Sequence, residues 1–97
     1  MVKIYKQKNF SLYSNFDNGF IIHNTYKPFE KGHTHLNNYH TARYLIKLAY
    51  HGIVPSHLSI YLIDSLIRIS IDDEYIRRLK ILKEKELKLE KQDKKTR

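Results

Sequence analysis

The longest apolar segment of the chain runs from Leu58 to Ile69 and predicts a helix buried on two sides. Its apolar side chains fall on two faces at the helical period, one formed by Leu58, Leu62, Leu66 and Ile69 and the other by Ile60, Ile63 and Ile67. His57, Asp64 and Arg68 form a polar edge, and the last two, four residues apart, are expected to pair. Because both apolar faces need cover, the rest of the chain should pack around this helix.

A first helix is predicted over residues 38–51, immediately before the central one. Asn37-Asn38 supplies an N-cap, and His51-Gly52 ends the helix because glycine accepts the left-handed cap conformation. The core-facing positions follow the helical period and are Ala42, Leu45, Ile46 and Ala49. Pro55 or Ser56 then begins the central helix, which is predicted over 56–69.

A last, basic helix is predicted over residues 72–90. The segment Ser70-Ile71-Asp72-Asp73 resembles a capping box, and the acidic first turn suits the positive end of a helix dipole. Its core-facing stripe comprises Ile71, Tyr75, Leu79 and Leu82. Beyond Leu82 the apolar content falls, so we expect the helix to project into solvent and to fray before Thr96.

Strand patterns occupy the N-terminal third. Residues 2–6 alternate, and the runs 10–15 and 20–26 are separated by Asp17-Asn18-Gly19, a sequence suited to a tight hairpin turn. Phe10, Leu12, Phe20 and Ile22 would be the apolar contributions of this hairpin. Residues 27–36, punctuated by Pro28 and Gly32, read as an irregular connection.

Together these elements predict an α+β fold. An N-terminal β-hairpin, or three short strands if residues 2–6 are included, packs on three helices, of which the last is long and basic. Ninety-seven residues suffice for one modest core, so we assign residues 1–90 to a single compact domain and 91–97 to a frayed basic tail.

The absence of several signatures narrows the class of protein. The chain has no cysteine, so disulfides and thiolate metal sites are excluded. Neither a glycine-rich phosphate loop nor a G-x-S-x-G elbow is present, so we expect no cofactor and no enzyme. The apolar run is too short and too charged to span a bilayer, and no leader-like segment is seen. We expect a cytoplasmic protein without membrane contacts.

Charge and its placement favour an anionic partner. The net charge is +8, of which residues 77–97 contribute +6. One face of the first helix points away from Ala42 and carries a stripe of basic and aromatic side chains. These residues are His40, Arg43, Tyr44, Lys47 and His51. Such a surface can hold phosphates and stack bases, so RNA or DNA is the expected partner. The alternative interpretation is that this stripe is merely the solvated face of the helix.

The last helix is expected to reinforce that stripe through Arg77, Arg78, Lys80 and Lys83. It is not expected to enter a DNA major groove as a helix-turn-helix reader does. Its N-terminal residues would then face phosphates, yet they are Asp72, Asp73 and Glu74. Any nucleic-acid contact should therefore be with the backbone and should tolerate sequence.

Histidines carry the remaining candidate chemistry. His33 and His35 point the same way in an extended segment, and His40 is near enough in sequence to be a third metal ligand, although the spacing is unspecific and we predict no metal. The same histidines with Arg43, Lys47 or Tyr44 could supply the base, acid and cation of a metal-independent nuclease. A nuclease, with or without a metal held by histidines, is the third function considered.

The segment GHTHLNNYHTARYLIKLAYHGIVPSHLSIYLIDSLIRIS resembles small, uncharacterised, lysine-rich proteins of bacteriophages and mobile elements of low-GC Gram-positive bacteria. The resemblance implies an accessory role, as a regulator or an inhibitor of host machinery such as an anti-CRISPR protein. The second function considered is therefore binding to a host protein or ribonucleoprotein complex. It would use a patch containing Tyr5, Tyr13 and Tyr26, and a dimer through Leu79, Leu82 and Leu89 is a further alternative.

Overall fold

The computed structural model describes residues 1–15 and 19–95, which form an α+β fold with one antiparallel sheet and three helices, as predicted. The strands lie in the order β1-β2-β3-β4, and the three helices follow them in the chain. The strands are β1 (Val2–Gln7), β2 (Phe10–Ser14), β3 (Phe20–Asn24) and β4 (His33–Leu36). The helices are α1 (Tyr39–His51), α2 (Ile60–Ile69) and α3 (Asp73–Lys95).

The predicted hairpin is formed by β2 and β3. Leu12 pairs with Ile22 and Phe10 with Asn24, so these alternate residues face the helices. Phe10, Leu12 and Ile22 are buried in the main core, and Phe20 packs against it. Of the predicted turn, Asp17 and Asn18 lie outside the described residues.

The prediction of an irregular connection over 27–36 is wrong at its C-terminal end, where β4 pairs with β3. A compact turn precedes this strand, in which the amides of Lys31 and Gly32 both donate to the carbonyl of Pro28. The four residues of β4 include only one aliphatic side chain, which is why the sequence reads as a loop. Thr34 nonetheless faces the helices, since its hydroxyl donates to Ser65 Oγ at 2.8 Å.

Helix α1 has the predicted caps. Asn38 accepts a hydrogen bond from the amide of Thr41, and Gly52 adopts a left-handed φ of 65°. The helix buries Ala42, Leu45, Ile46 and Leu48, while Ala49 packs at the edge of the core. Its buried stripe therefore follows the predicted face.

The predicted start of the central helix, at Pro55 or Ser56, is wrong. Helix α2 begins at Ile60, and the Ser59 hydroxyl caps it by accepting a hydrogen bond from the backbone amide of Leu62. A serine at this position satisfies a free helical amide, which the apolar pattern does not reveal. The expected cover on two sides is confirmed, because α2 contacts both α3 and β4.

The predicted pairing of Asp64 with Arg68 is also wrong. Asp64 instead contacts Lys83 of α3, with Oδ1 and Nζ 2.8 Å apart. Arg68 donates to the carbonyls of His33 and Glu30, at 2.6 and 2.7 Å. Both side chains tie α2 to a neighbouring segment, and carbonyl acceptors on another segment cannot be read from spacing along one helix.

Helix α3 begins at Asp73, one residue after the predicted start, but its capping residue differs from the prediction. Asp72, not Ser70, caps the helix, because its carboxylate accepts a hydrogen bond from the backbone amide of Tyr75. The Ser70 hydroxyl instead donates a hydrogen bond to the carbonyl of Leu66. Ile71 was expected in the core but is 52% exposed, because it precedes the helix. The remaining stripe, Tyr75, Leu79 and Leu82, is buried as predicted, and the helix continues past residue 90 to Lys95.

Tyr75 makes stability depend on pH in the alkaline range. It is 6% exposed and donates its phenol proton to the Ile53 carbonyl at 2.8 Å, and burial raises its pKa to about 12. Between pH 10 and 12 the unfolded chain releases this proton while the folded chain keeps it, so folding stability falls as pH rises. We expect a loss of about 2 kcal/mol at pH 12 relative to pH 9 from this residue.

The comparison variant is Tyr75→Phe. Urea denaturation of both proteins across this pH range measures their free energies of unfolding. At pH 7 it should be less stable by about 1 kcal/mol, because it lacks the hydrogen bond to Ile53. The difference between the two proteins should shrink and reverse as pH rises. Parallel stability curves would contradict the assignment.

Candidate nucleic-acid interface

The predicted stripe on α1 lines a single surface groove. This α1 groove has a volume of about 420 Å³ and lies between α1 and the edge strand β1. All five stripe residues contribute, together with two from β1, so the lining comprises Tyr5, Gln7, His40, Arg43, Tyr44, Lys47 and His51. None of the described residues that line it carries a carboxylate. The structure therefore gathers the stripe into one concave surface rather than leaving it on a convex helix.

Arg43 is held in place by two aromatic residues. Its guanidinium carbon lies 3.6 Å from the centre of the Tyr5 ring, and its Nη1 donates to the Tyr39 hydroxyl at 2.7 Å. The hydrogen bond to Tyr39 is the main reason that the pKa of Arg43 is raised. Because a guanidinium carries five N–H donors, one bond to Tyr39 leaves donors for an anion.

The other groove residues on α1 are open to solvent. His40, Lys47 and His51 are exposed, and Tyr44 is 43% exposed. The His51 ring contacts the Tyr50 ring edge-on, with their centres 4.8 Å apart. Its described lining thus offers an anchored guanidinium, a solvent-exposed ammonium and several aromatic ring faces.

A second concavity of about 700 Å³ continues from the first and shares His51 with it. Lys8 and Arg78 contribute cations, and the Lys8 ammonium lies 5.6 Å from the centre of the Tyr50 ring. Its lining also includes two carboxylates, those of Asp72 and Glu74. The mixed charge makes this region a weaker anion site than the α1 groove.

Of the four α3 cations predicted to extend the basic surface, only one lines either concavity. Arg78 lines the second concavity. Arg77 instead bonds Glu74 of its own helix, which lowers the pKa of that carboxyl, and Lys83 pairs with Asp64. Lys80 is exposed and lines neither concavity.

The three candidate metal ligands do not come together. His40 lines the α1 groove, whereas His33 and His35 lie on β4 and face away from the helices. The histidines and cations considered for a nuclease are therefore divided between two surfaces. Among residues 1–15 and 19–91, whose side chains are described, no group of three or more His, Cys, Asp or Glu residues could hold a metal ion.

The tyrosines considered for protein binding are likewise dispersed. Tyr5 faces α1, Tyr13 lies on the opposite face of the sheet, and Tyr26 is 72% exposed in the turn after β3. Two of the leucines considered for a dimer, Leu79 and Leu82, are buried in the chain's own core.

Tyr5 and Gln7 are groove residues that the sequence did not indicate. In a regular strand Tyr5 would share a face with Lys3. The register shifts between Lys3 and Tyr5, so Lys3 pairs with Tyr13 while Tyr5 pairs with Leu12. This irregularity turns the Tyr5 ring toward α1, where it meets Arg43.

Within the described ranges of the chain, no helix is long and apolar enough to cross a membrane. Comparisons with protein-family models, curated proteins and solved structures give no match for this chain.

Proposed function

We propose that this chain binds the phosphate backbone of RNA or DNA with little sequence preference, and that the α1 groove is the contact surface. The observation that carries the proposal is the charge of the groove: among the described residues, its lining includes Arg43 and Lys47 and no carboxylate. Phosphate contacts dominate the affinity of most nucleic-acid-binding proteins. Because no carboxylate among the described groove residues repels phosphate, each cation–phosphate contact contributes its full binding free energy.

Arg43 is suited to be the primary phosphate ligand. Its stacking on Tyr5 and its bond to Tyr39 restrict the side chain before binding, so less conformational entropy is lost when an anion arrives. A planar guanidinium also matches two phosphate oxygens at once. Lys47, one turn further along α1, adds a second charge that can follow the backbone.

Ring faces along the groove support contact with unpaired bases. Tyr44 lines the groove together with Arg43 and Lys47 and is substantially exposed. Stacking of a base on an aromatic ring tolerates every base, because each has a π face. Single strands should therefore bind more tightly than duplexes.

The length of the groove fits a short run of nucleotides. From His40 to His51, α1 rises by roughly 16 Å, at 1.5 Å per residue. One strand of B-form DNA carries about five phosphates over that distance. The groove is thus expected to contact a few consecutive phosphates rather than a single terminal one.

The test is fluorescence anisotropy with labelled single-stranded RNA, single-stranded DNA and duplex DNA at several salt concentrations. Replacing both Arg43 and Lys47 with glutamine should weaken binding by roughly 10- to 100-fold at low salt. For single strands, the slope of log affinity against log salt should become shallower by about 1.4, or 0.7 for each lost phosphate contact.

The matched control removes the same charge from α3. Lys88 and Lys91 are exposed there and lie outside the α1 groove, so replacing both with glutamine should reduce affinity only a few-fold. An equal loss in both double variants would show that binding depends on net charge or on α3, not on the groove. If the wild-type chain binds none of the three probes, the proposal fails, and a protein partner becomes the leading alternative.

A further inference from the structure

His33 and His35 form a converging pair on the outer face of the sheet. They flank Thr34, whose hydroxyl faces α2, so both imidazoles project to the opposite side. Their Nε2 atoms lie 3.2 Å apart, and their ring centres are separated by 5.0 Å. The α1 groove is built on other residues, so this pair is independent of the proposed nucleic-acid site.

The surroundings determine which nitrogen of His33 carries the proton. Its Nδ1 contacts the carbonyl oxygen of Phe29, and a carbonyl can only accept, so Nδ1 is the donor. In the neutral ring, Nε2 then carries a lone pair that is directed at His35. The Phe29 ring stacks on His33 at 4.2 Å with an interplanar angle of 5°, which restrains the ring.

This arrangement is the one that metal-binding histidines use. Their second nitrogen usually donates to a carbonyl or carboxylate, which sets the tautomer and orients the ring. A tetrahedral ion with metal–nitrogen bonds of about 2.05 Å would place two ligand nitrogens roughly 3.3 Å apart. The observed separation of 3.2 Å matches this spacing, so binding requires the rings to turn toward the ion but requires little change in the distance between the two nitrogens.

The backbone beneath the pair is also anchored. Arg68 donates to the carbonyl of His33 at 2.6 Å, and the Tyr61 hydroxyl donates to that of His35. These bonds tie both ligand positions to α2. A restrained pair loses less conformational entropy on binding an ion than two free surface histidines would.

We propose that His33 and His35 bind a divalent transition-metal ion that prefers imidazole, such as Zn²⁺, Ni²⁺ or Cu²⁺. Both protein ligands are nitrogens, which disfavours Mg²⁺ and Ca²⁺, because these ions prefer oxygen ligands from the protein. The neighbouring His23 donates from Nε2 to the Lys27 carbonyl at 2.9 Å. It does not complete a three-residue site, because among the described residues no group of three or more His, Cys, Asp or Glu could hold a metal ion. Water completes the coordination, so the site is open and exchangeable.

Metal binding changes the tautomer of one histidine only. Without metal, His35 Nε2–H donates to the lone pair of His33. When both Nε2 atoms bind the ion, His35 must carry its proton on Nδ1, and solvent exchange moves it there without net release. His33 keeps its proton on Nδ1 throughout.

The test is isothermal titration of the untagged chain with ZnCl₂ and, separately, with NiSO₄. We expect one ion per chain, and His33→Gln and His35→Gln should each weaken binding by at least about tenfold. The control is His57→Gln, because His57 is exposed and contacts only Glu86 among the described carboxylates. This variant should bind the metals as the wild type does.

Nitrogen-15 spectra of the imidazole groups provide a second measurement on the wild-type protein, which does not depend on how the variants fold. With Zn²⁺, the His35 proton should move from Nε2 to Nδ1 while His33 keeps its tautomer. The proposal is overturned if either histidine variant titrates like the wild type, or if saturating Zn²⁺ leaves the His35 tautomer unchanged.

Discussion

Leu45→Ala is expected to lower the free energy of unfolding by about 3 to 4 kcal/mol. Leu45 is fully buried in the middle of α1, in the cluster that joins the helices to the sheet. Its truncation removes the transfer free energy of the deleted groups and leaves a cavity between close-packed elements. Chemical denaturation at pH 7 measures the loss.

Leu87→Ala is the matched control for that change. Leu87 lies in the same type of element but is exposed on α3, so the same truncation should cost less than about 0.5 kcal/mol. Similar losses in the two variants would contradict the assignment of α1 to the centre of the core. Because α1 carries the α1 groove, Leu45 also holds Arg43 and Lys47 in position beside β1.

Asn24→Ala is expected to lower the free energy of unfolding by about 3 kcal/mol. Asn24 is fully buried at the end of β3, and its Nδ2 donates to the Ile69 carbonyl at 2.8 Å. Its Oδ1 accepts from Asn9 Nδ2 at 2.9 Å and from the Tyr26 amide at 3.0 Å. Alanine removes all three bonds and leaves the Ile69 carbonyl without this donor at the end of α2.

Asn37→Ala supplies the comparison for this variant in the same denaturation experiment. Asn37 is exposed between β4 and α1, so its removal should change stability by less than about 0.5 kcal/mol. If Asn24→Ala were equally mild, the bond to Ile69 would not be the link that joins the sheet to α2.

Much of the architecture was predictable from local patterns. The caps at Asn38 and Gly52 and the buried stripe from Ala42 to Ile46 depend on residues close together in the chain. Helical periodicity determines which side of α1 is polar, and the stripe now seen in the groove follows from it directly. The hairpin of β2 and β3 is equally local.

Predictions were wrong where a contact joins residues that are far apart in the sequence. Asp64 and Arg68 have the spacing of a helical ion pair, yet Lys83 and two carbonyls before α1 are their partners. Strand β4 is short and polar, so its sequence does not identify it as a strand. It is recognised only by its pairing with β3 in the folded chain. Their partners lie far along the chain, and sequence spacing carries no information about such contacts.

The composition and polarity of each element follow from the amino-acid sequence: a basic, aromatic face on α1, an apolar central helix, and two histidines on one side of an extended segment. Three further features arise from packing between elements: the irregularity in β1 places Tyr5 under Arg43, Phe29 orients the ring of His33, and His40 belongs to a different surface. Amphipathic patterns indicate which side of an element faces water, whereas a site is formed by contacts between elements. Strand register and close packing select those contacts, and both depend on the whole chain.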